Sequence, residues 1–227
     1  MYKVMFSYLL LSLAALAPFT LVGASPTELS GRARTQGCDL THVRLNDLPA
    51  GQNSVTIRSS AVPKIVTIGA GVQNYTCINN VYVSTGAVAE LFDISCIAGT
   101  KAFRNIQNFA VDHPTGSELG HQFFGGQTIN PVVHHYFDFN PVSPGIAPRF
   151  DLAGTNRFTT LKKLGNIPSP QGKANVDWLE LSEIKGDLAK FVYRTDTIRG
   201  QPPASCIDGS PVISIDYAAK YWFFDSN

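Results

Sequence analysis

The C-terminal segment constrains the fold most, because its apolar and polar residues alternate from Ile213 to Phe223. Successive side chains of a β-strand point to opposite faces, so this pattern predicts a strand with one buried face. The residues assigned to that face are Ile215, Tyr217, Tyr221 and Phe223. Asp216 and Lys220 fall on the other face, where replacing Lys220 by alanine should hardly change stability. Such a strand needs neighbouring strands that cover its apolar face, which predicts a β-rich fold.

Shorter runs of the same kind precede this segment. They cover residues 55–58, 64–68, 72–78, 132–139, 175–181 and 188–197. Clusters of glycine and proline between them predict turns at 48–51, 69–71, 141–148, 167–172, 200–203 and 208–209. Segment 87–92 fits either a strand or one helical turn. Segment 101–111 has Phe103, Ile106 and Phe109 at helical spacing and is the one helix predicted.

Strands do not alternate with helices along the chain, so a parallel, doubly wound sheet is disfavoured. The prediction is an all-β fold, a mainly antiparallel sandwich or open barrel with at most one short helix. Residues 38–227 are expected to form this single domain.

The N-terminal segment has the pattern of a secretory signal peptide. Lys3 precedes an apolar stretch over 5–22, and Val22-Gly23-Ala24 offers small residues for cleavage. Residues 1–24 are therefore expected to be removed, and the polar stretch 25–37 to form a flexible leader. The rest of the chain has no second apolar run long enough to span a bilayer. The expected product is secreted and extracellular, free or associated with the cell wall, without a transmembrane anchor.

Cysteine usage agrees with export. Four cysteines follow the signal segment, Cys38, Cys77, Cys96 and Cys206, and an even number in an oxidising compartment predicts two disulfides. All three pairings remain open. The sequon Asn74-Tyr75-Thr76 predicts an N-linked glycan at Asn74. Only 15% of residues are charged and the net charge is +1, so neither a nucleic-acid footprint nor a polybasic membrane patch is expected.

Several blocks of sequence resemble a known family. In chain order they read GAGVQNYTC (69–77), GAVAELFDISC (86–96), HHYF (134–137), PRFDL (148–152), NVDWLEL (175–181), YRTDTIRGQPPASC (193–206) and DYAAKYWFF (216–224). The chain resembles the secreted fungal members of domain-of-unknown-function family 3455, over roughly 38–224. The resemblance implies a secreted protein with a cysteine-containing N-terminal half and implies no activity.

Some members of that family carry the name malate dehydrogenase. A dinucleotide site needs G-x-G-x-x-G between a strand and a helix. Gly69 and Gly71 match the first two glycines, but Asn74 stands at the third and Tyr75 to Cys77 continue as a strand. NAD-dependent malate dehydrogenase activity is therefore disfavoured, and no cofactor is predicted.

Histidines and an aspartate form a candidate metal cluster. Imidazole and carboxylate groups hold zinc or copper where three of them converge. In a strand His134 and His135 point to opposite faces, so His121, His134 and Asp138 are the triplet that geometry permits. Core or surface histidines are the alternative interpretation.

Catalytic residues cannot be assigned from the sequence. Glu90 and Asp93 form a carboxylate pair only if their segment is helical, because a strand separates them to opposite faces. There is no G-x-S-x-G motif, and the cysteines are expected to be bridged.

Aromatic residues suggest a binding role. Trp222 lies on the polar side of the last strand, so Trp222, with Trp178, is the candidate platform for sugar rings; burial in a core is the alternative. The function favoured by the sequence is a non-catalytic extracellular protein that binds a cell-wall polysaccharide or another extracellular surface. The alternative is a secreted hydrolase or metal-dependent enzyme that uses the region of His121, His134 and Asp138.

Overall fold

A computed structural model describes residues 38–45, 48–57 and 62–225. The expectations for a signal peptide over 1–24 and a leader over 25–37 fall outside these residues. The described residues contain eight strands: β1 (Ile65–Ile78), β2 (Val81–Asp93), β3 (Val133–Phe139), β4 (Ile146–Leu152), β5 (Phe158–Ile167), β6 (Trp178–Gly186), β7 (Phe191–Arg199) and β8 (Ile213–Phe224). A 3-10 turn (Ser95–Ile97) and two helices, α1 (Lys101–Ala110) and α2 (Gly116–Phe123), lie between β2 and β3.

The strands form a closed antiparallel barrel in sequence order, with β8 returning to pair with β1. The all-β prediction is confirmed. The sequence predicted a sandwich or an open barrel, and the structure has a closed barrel. Closure satisfies the backbone groups that an edge strand would expose. Neither described helix is long and apolar enough to cross a membrane.

Large rings from β8 fill the barrel interior. The Tyr221 ring lies 5.5 Å from Phe150 on β4 and 5.8 Å from His135 on β3, measured between ring centroids. These strands are not neighbours of β8, so the rings meet across the barrel. Space for Tyr221 comes from Gly69, where an added Cβ would lie 2.7 Å from the tyrosine ring. The turn predicted at 69–71 is therefore wrong: both glycines lie within β1, Gly69 against the Tyr221 ring and Gly71 against the β2 backbone at Val88 and Ala89.

A second apolar layer covers the outer face of β1, β7 and β8. Helix α1 packs there with Phe103 and Ile106, joined by Leu45 and Val55 from the segment before β1. Trp222 is 3% exposed in this layer, and its ring meets Phe103 edge-to-face with centroids 5.6 Å apart.

Burial under this layer corrects two predictions. Trp222 and Trp178 are 3% and 2% exposed, so neither ring is a surface platform. Lys220 is 3% exposed and its Nζ lies 3.3 Å from Asp196 Oδ2, with the Phe103 ring centroid 4.5 Å away. Replacing Lys220 by alanine would leave the Asp196 carboxylate without this partner, so the expectation of little effect is also wrong.

Two disulfides join distant parts of the chain and confirm the predicted number. Cys38 pairs with Cys96 and ties the segment before β1 to the 3-10 turn. Cys77, at the end of β1, pairs with Cys206 in the β7–β8 connection.

Other local predictions differ from the structure. Residues 55–57 were predicted as part of a strand and do not form one. Strands β4 and β5 were not predicted, because Pro148 and the charged residues of 149–163 hide their alternating pattern. Helix α2 is an unpredicted second helix, whose Thr115 N-cap and Glu118 form a capping box.

The filled interior predicts a strong contrast between two phenylalanines. Phe223 is 1% exposed inside the barrel, whereas Phe139 is 85% exposed at the end of β3. Phe223→Ala should lower the free energy of unfolding by about 3–5 kcal/mol, and Phe139→Ala should change it by less than about 0.5 kcal/mol. Urea unfolding of both variants measures this, and equal losses would contradict the assignment of β8 side chains to the interior.

Candidate functional site

Polar residues occupy the outer face of β2, β3, β4 and β5, away from the helices. Glu90 lies opposite His134, His134 opposite Asp151, and Asp151 opposite Phe158. These four residues form one row across four strands. Because residues directly opposite in antiparallel strands have neighbouring side chains, the register itself brings them together.

Arg149 is the centre of this surface. Its Nε donates to Asp151 Oδ1 at 2.7 Å, and its Nη1 lies 3.6 Å from Asp138 Oδ2. The guanidinium carbon lies 3.8 Å from the ring centroid of Phe158. Two carboxylates and one ring therefore hold the guanidinium group in a single orientation.

Tyr136 completes the contacts of Asp151. Its hydroxyl donates to Asp151 Oδ2 at 2.7 Å. Burial of the phenol and this hydrogen bond raise the pKa of Tyr136, so the hydroxyl stays protonated and remains a donor. Both oxygens of Asp151 are thus engaged by side chains of the same face.

A groove of about 210 Å³ opens beside these residues, between β4, β5 and their connecting loop. It is lined by Arg149, Asp151, Thr155, Asn156, Arg157 and Phe158. Arg157 is anchored to the β6–β7 turn, where Nη2 donates to the Asp187 carbonyl at 2.8 Å and Nε to Asp187 Oδ2 at 3.3 Å. The Thr155 hydroxyl, which donates to the Leu152 carbonyl and accepts from the Arg157 amide, fixes the loop.

The charges of the groove nearly cancel. Arg149 contacts Asp151 and Asp138, and Arg157 contacts Asp187. Each cation already has an acidic partner, so the groove offers donors and acceptors without a strong field of either sign. This arrangement suits a neutral polar ligand better than an anion or a cation.

The predicted metal triplet does not assemble. His134 Nδ1 lies 2.6 Å from Glu90 Oε2, Asp138 contacts Arg149, and His121 is exposed on α2. Within the described ranges 38–45, 48–57 and 62–225, no three His, Cys, Asp or Glu side chains could hold a metal ion together. His134 and Asp138 do share the outer face, as the alternation in β3 predicted.

Glu90 and Asp93 do not form a carboxylate pair, because their segment is the strand β2. Glu90 contacts His134, whereas Asp93 accepts a hydrogen bond from the Ser95 amide at 2.8 Å. Burial raises the pKa of Asp93 despite this hydrogen bond.

His135 lies inside the barrel. Its ring stacks on Phe150 at 4.2 Å, and its Nδ1 lies 2.9 Å from the Arg149 carbonyl, to which it donates. Burial, together with the charge of Arg194, lowers the pKa of His135 to about 4. Nearby, the hydroxyls of Tyr217 and Tyr221 are 2.8 Å apart, and burial raises the pKa of both.

The candidate site residues predicted from the sequence did not include Arg149, Asp151 or Arg157. The alternation Arg149-Phe150-Asp151-Leu152 was the available signal, since it places the two charges on one face of a strand. Arg157 carried no such signal, because its position depends on a loop that reaches Asp187 on another turn.

The chain matches a family of known sequences. A family model described as "Protein of unknown function (DUF3455)" matches residues 58–225. No curated protein and no solved structure matches the chain.

The burial of His135 predicts a loss of stability in acid. Its pKa falls from 6.5 in the unfolded chain to about 4 in the folded protein, so the unfolded state binds more protons between these values. The stabilisation is complete above pH 6.5 and is lost as the pH falls toward 4, by about 2–3 kcal/mol at pH 4.5.

Chemical unfolding at pH 7.5 and 4.5 measures this effect. His135→Gln should remove that part of the pH dependence, whereas His121→Gln, at an exposed site, should keep it. An unchanged pH dependence in His135→Gln would show that the imidazole does not titrate as its burial requires.

Proposed function

The chain belongs to DUF3455, a family of proteins of unknown function, and we propose a function from the geometry of its own residues. The protein is an exported, non-catalytic protein that binds a neutral carbohydrate. The binding site is the groove between β4 and β5. The ligand class is a cell-wall or other extracellular polysaccharide.

Two features support export. Both disulfides join segments far apart in the sequence, and such bonds persist in oxidising compartments. The apolar segment over 5–22, followed by Val22-Gly23-Ala24, has the composition of a cleavable signal peptide.

The observation that carries the binding proposal is the fixed array of polar groups around Arg149. Sugar hydroxyls both donate and accept hydrogen bonds, and the groove presents guanidinium, carboxylate, hydroxyl and amide groups together. Because Asp151, Asp138 and Phe158 already hold Arg149, little side-chain freedom is lost when a ligand binds. The balanced charge of the groove favours a neutral sugar over a uronic acid.

A second candidate, a secreted hydrolase, is favoured by the contact between His134 and Glu90. The carboxylate fixes the imidazole through Nδ1, which is how a histidine is oriented as a general base. His134 lies directly opposite Asp151, which lines the groove, so a bound sugar would lie close to it.

Binding is tested by depletion of the purified protein on insoluble β-glucan and chitin. Arg149→Gln should weaken retention by roughly tenfold or more, the loss expected for a charged hydrogen-bonding group worth about 1.5–3 kcal/mol. Arg104→Gln makes the same change on the exposed face of α1 and should bind as the wild type does. No retention of the wild type on either polymer, or equal loss in both variants, would overturn the carbohydrate proposal.

The two candidate functions differ in turnover. Incubation with soluble β-glucan and chitin oligosaccharides should release no new reducing ends, and His134→Asn should still bind. Release of reducing ends by the wild type, abolished in His134→Asn, would establish the hydrolase instead. Both readouts use the same protein preparations.

A further inference from the structure

Four exposed apolar side chains lie on the outer face of the β1–β2 hairpin. Ile78, Val81, Val83 and Val88 are 44–55% exposed. The register places Val88 opposite Val72, Val83 opposite Thr76, and Val81 opposite Ile78. We call the surface formed by Val72, Ile78, Val81, Val83 and Val88 the hairpin face.

Asn74 lies in the middle of the hairpin face. It falls between Val72 and Thr76 on the outward side of β1, while its neighbours Gln73 and Tyr75 are buried inside the barrel. Its partner on β2 is Gly86, which has no side chain to cover it. Asn74 is also the first residue of the sequon Asn74-Tyr75-Thr76.

The carboxamide of Asn74 is held in one orientation. The Ser214 hydroxyl on β8 donates to Asn74 Oδ1 at 2.7 Å. The two branches of a planar carboxamide diverge, so Nδ2 is directed away from the Ser214 hydroxyl. Nδ2 is the atom to which an N-linked glycan is attached.

We propose that Asn74 carries an N-linked glycan and that its first sugars cover the hairpin face. The C–H faces of pyranose rings pack on apolar side chains, and exposed apolar patches on a secreted protein otherwise promote association. The ligand of this face is thus a glycan of the chain itself, distinct from the polysaccharide proposed for the groove.

Attachment is a transfer from a lipid-linked diphosphate oligosaccharide. The bond between the anomeric carbon and the diphosphate oxygen breaks, a bond from that carbon to Asn74 Nδ2 forms, and the amide nitrogen loses one proton. The diphosphate leaves with the bonding electron pair, so no oxidant or reductant is needed. The proposal rests on the export part of the proposed function, because this donor is used in the secretory pathway.

The first experiment expresses the full chain in a eukaryotic secretory host, with Thr76→Ser and Thr76→Ala as matched variants. Thr76→Ser keeps the sequon and Thr76→Ala removes it at the same outward position. The wild type and Thr76→Ser should lose apparent mass when treated with an N-glycan amidase, and Thr76→Ala should not. Secreted wild-type protein without a mass change would overturn the glycan, whereas protein retained in the cell would overturn export.

The second experiment tests coverage of the hairpin face on folded protein. Trimming the whole glycan from the folded wild type with the N-glycan amidase, or removing the sequon by Thr76→Ala, should raise fluorescence of an apolar dye roughly twofold and promote self-association in sedimentation. Adding Val83→Thr and Val88→Thr to Thr76→Ala should reverse both changes. If trimming changed neither dye fluorescence nor self-association, the glycan would not cover the hairpin face. The same would follow if the fully glycosylated wild type already dimerised and the valine substitutions dispersed the dimer.

Discussion

The pairing of β8 with both β7 and β1 is the interaction on which the rest of the structure depends. It closes the barrel and leaves β8 buried on both faces from Tyr217 to Phe224. Tyr217, Tyr221 and Phe223 fill the interior, while Trp222 and Phe224 face the layer built by α1 and the segment before β1. The interior of an eight-stranded barrel is just wide enough for side chains to fill it. Large rings therefore fit only where small residues lie opposite them. Gly69 provides that match for Tyr221.

The covering layer also decides where polar groups can be placed. Helix α1 packs on β1, β7 and β8, and this part of the outer surface is apolar. The outer face of β2 to β5 beyond the helices meets solvent, and there the strands carry Glu90, His134, Arg149 and Asp151. The site is therefore built on strands whose inner residues are locked in the barrel, which gives its side chains a rigid base.

The alternation in the sequence predicted which side chains share a face of a strand. It could not predict that a second layer, built by α1, covers the outer face of β8. Alternation correctly placed Tyr217, Tyr221 and Phe223 on one buried face, although Ile215, predicted on the same face, is only half-buried. It assigned Lys220 and Trp222 to an open face, because α1 is distant in sequence. Gly69-Ala70-Gly71 looked like a turn, since the clearance needed by the Tyr221 ring is not visible locally. His134 and Asp138 were correctly placed on one face, whereas their partners Glu90 and Arg149 depend on cross-strand register. The capping box of α2 was readable, because Thr115 and Glu118 have the required spacing.

The interior and the candidate site meet at Arg149. Its carbonyl accepts the hydrogen bond of buried His135, while its guanidinium group reaches outward to Asp151 and the groove. The imidazole stays neutral at pH values well above 4, because its burial and the charge of Arg194 disfavour a second cation in the barrel. Protonation would leave the Nδ1–H donor in place but would add an unpaired charge beside Phe150 and Tyr221. Acid therefore acts on the barrel that supports Arg149, and a loss of binding near pH 4 would accompany unfolding.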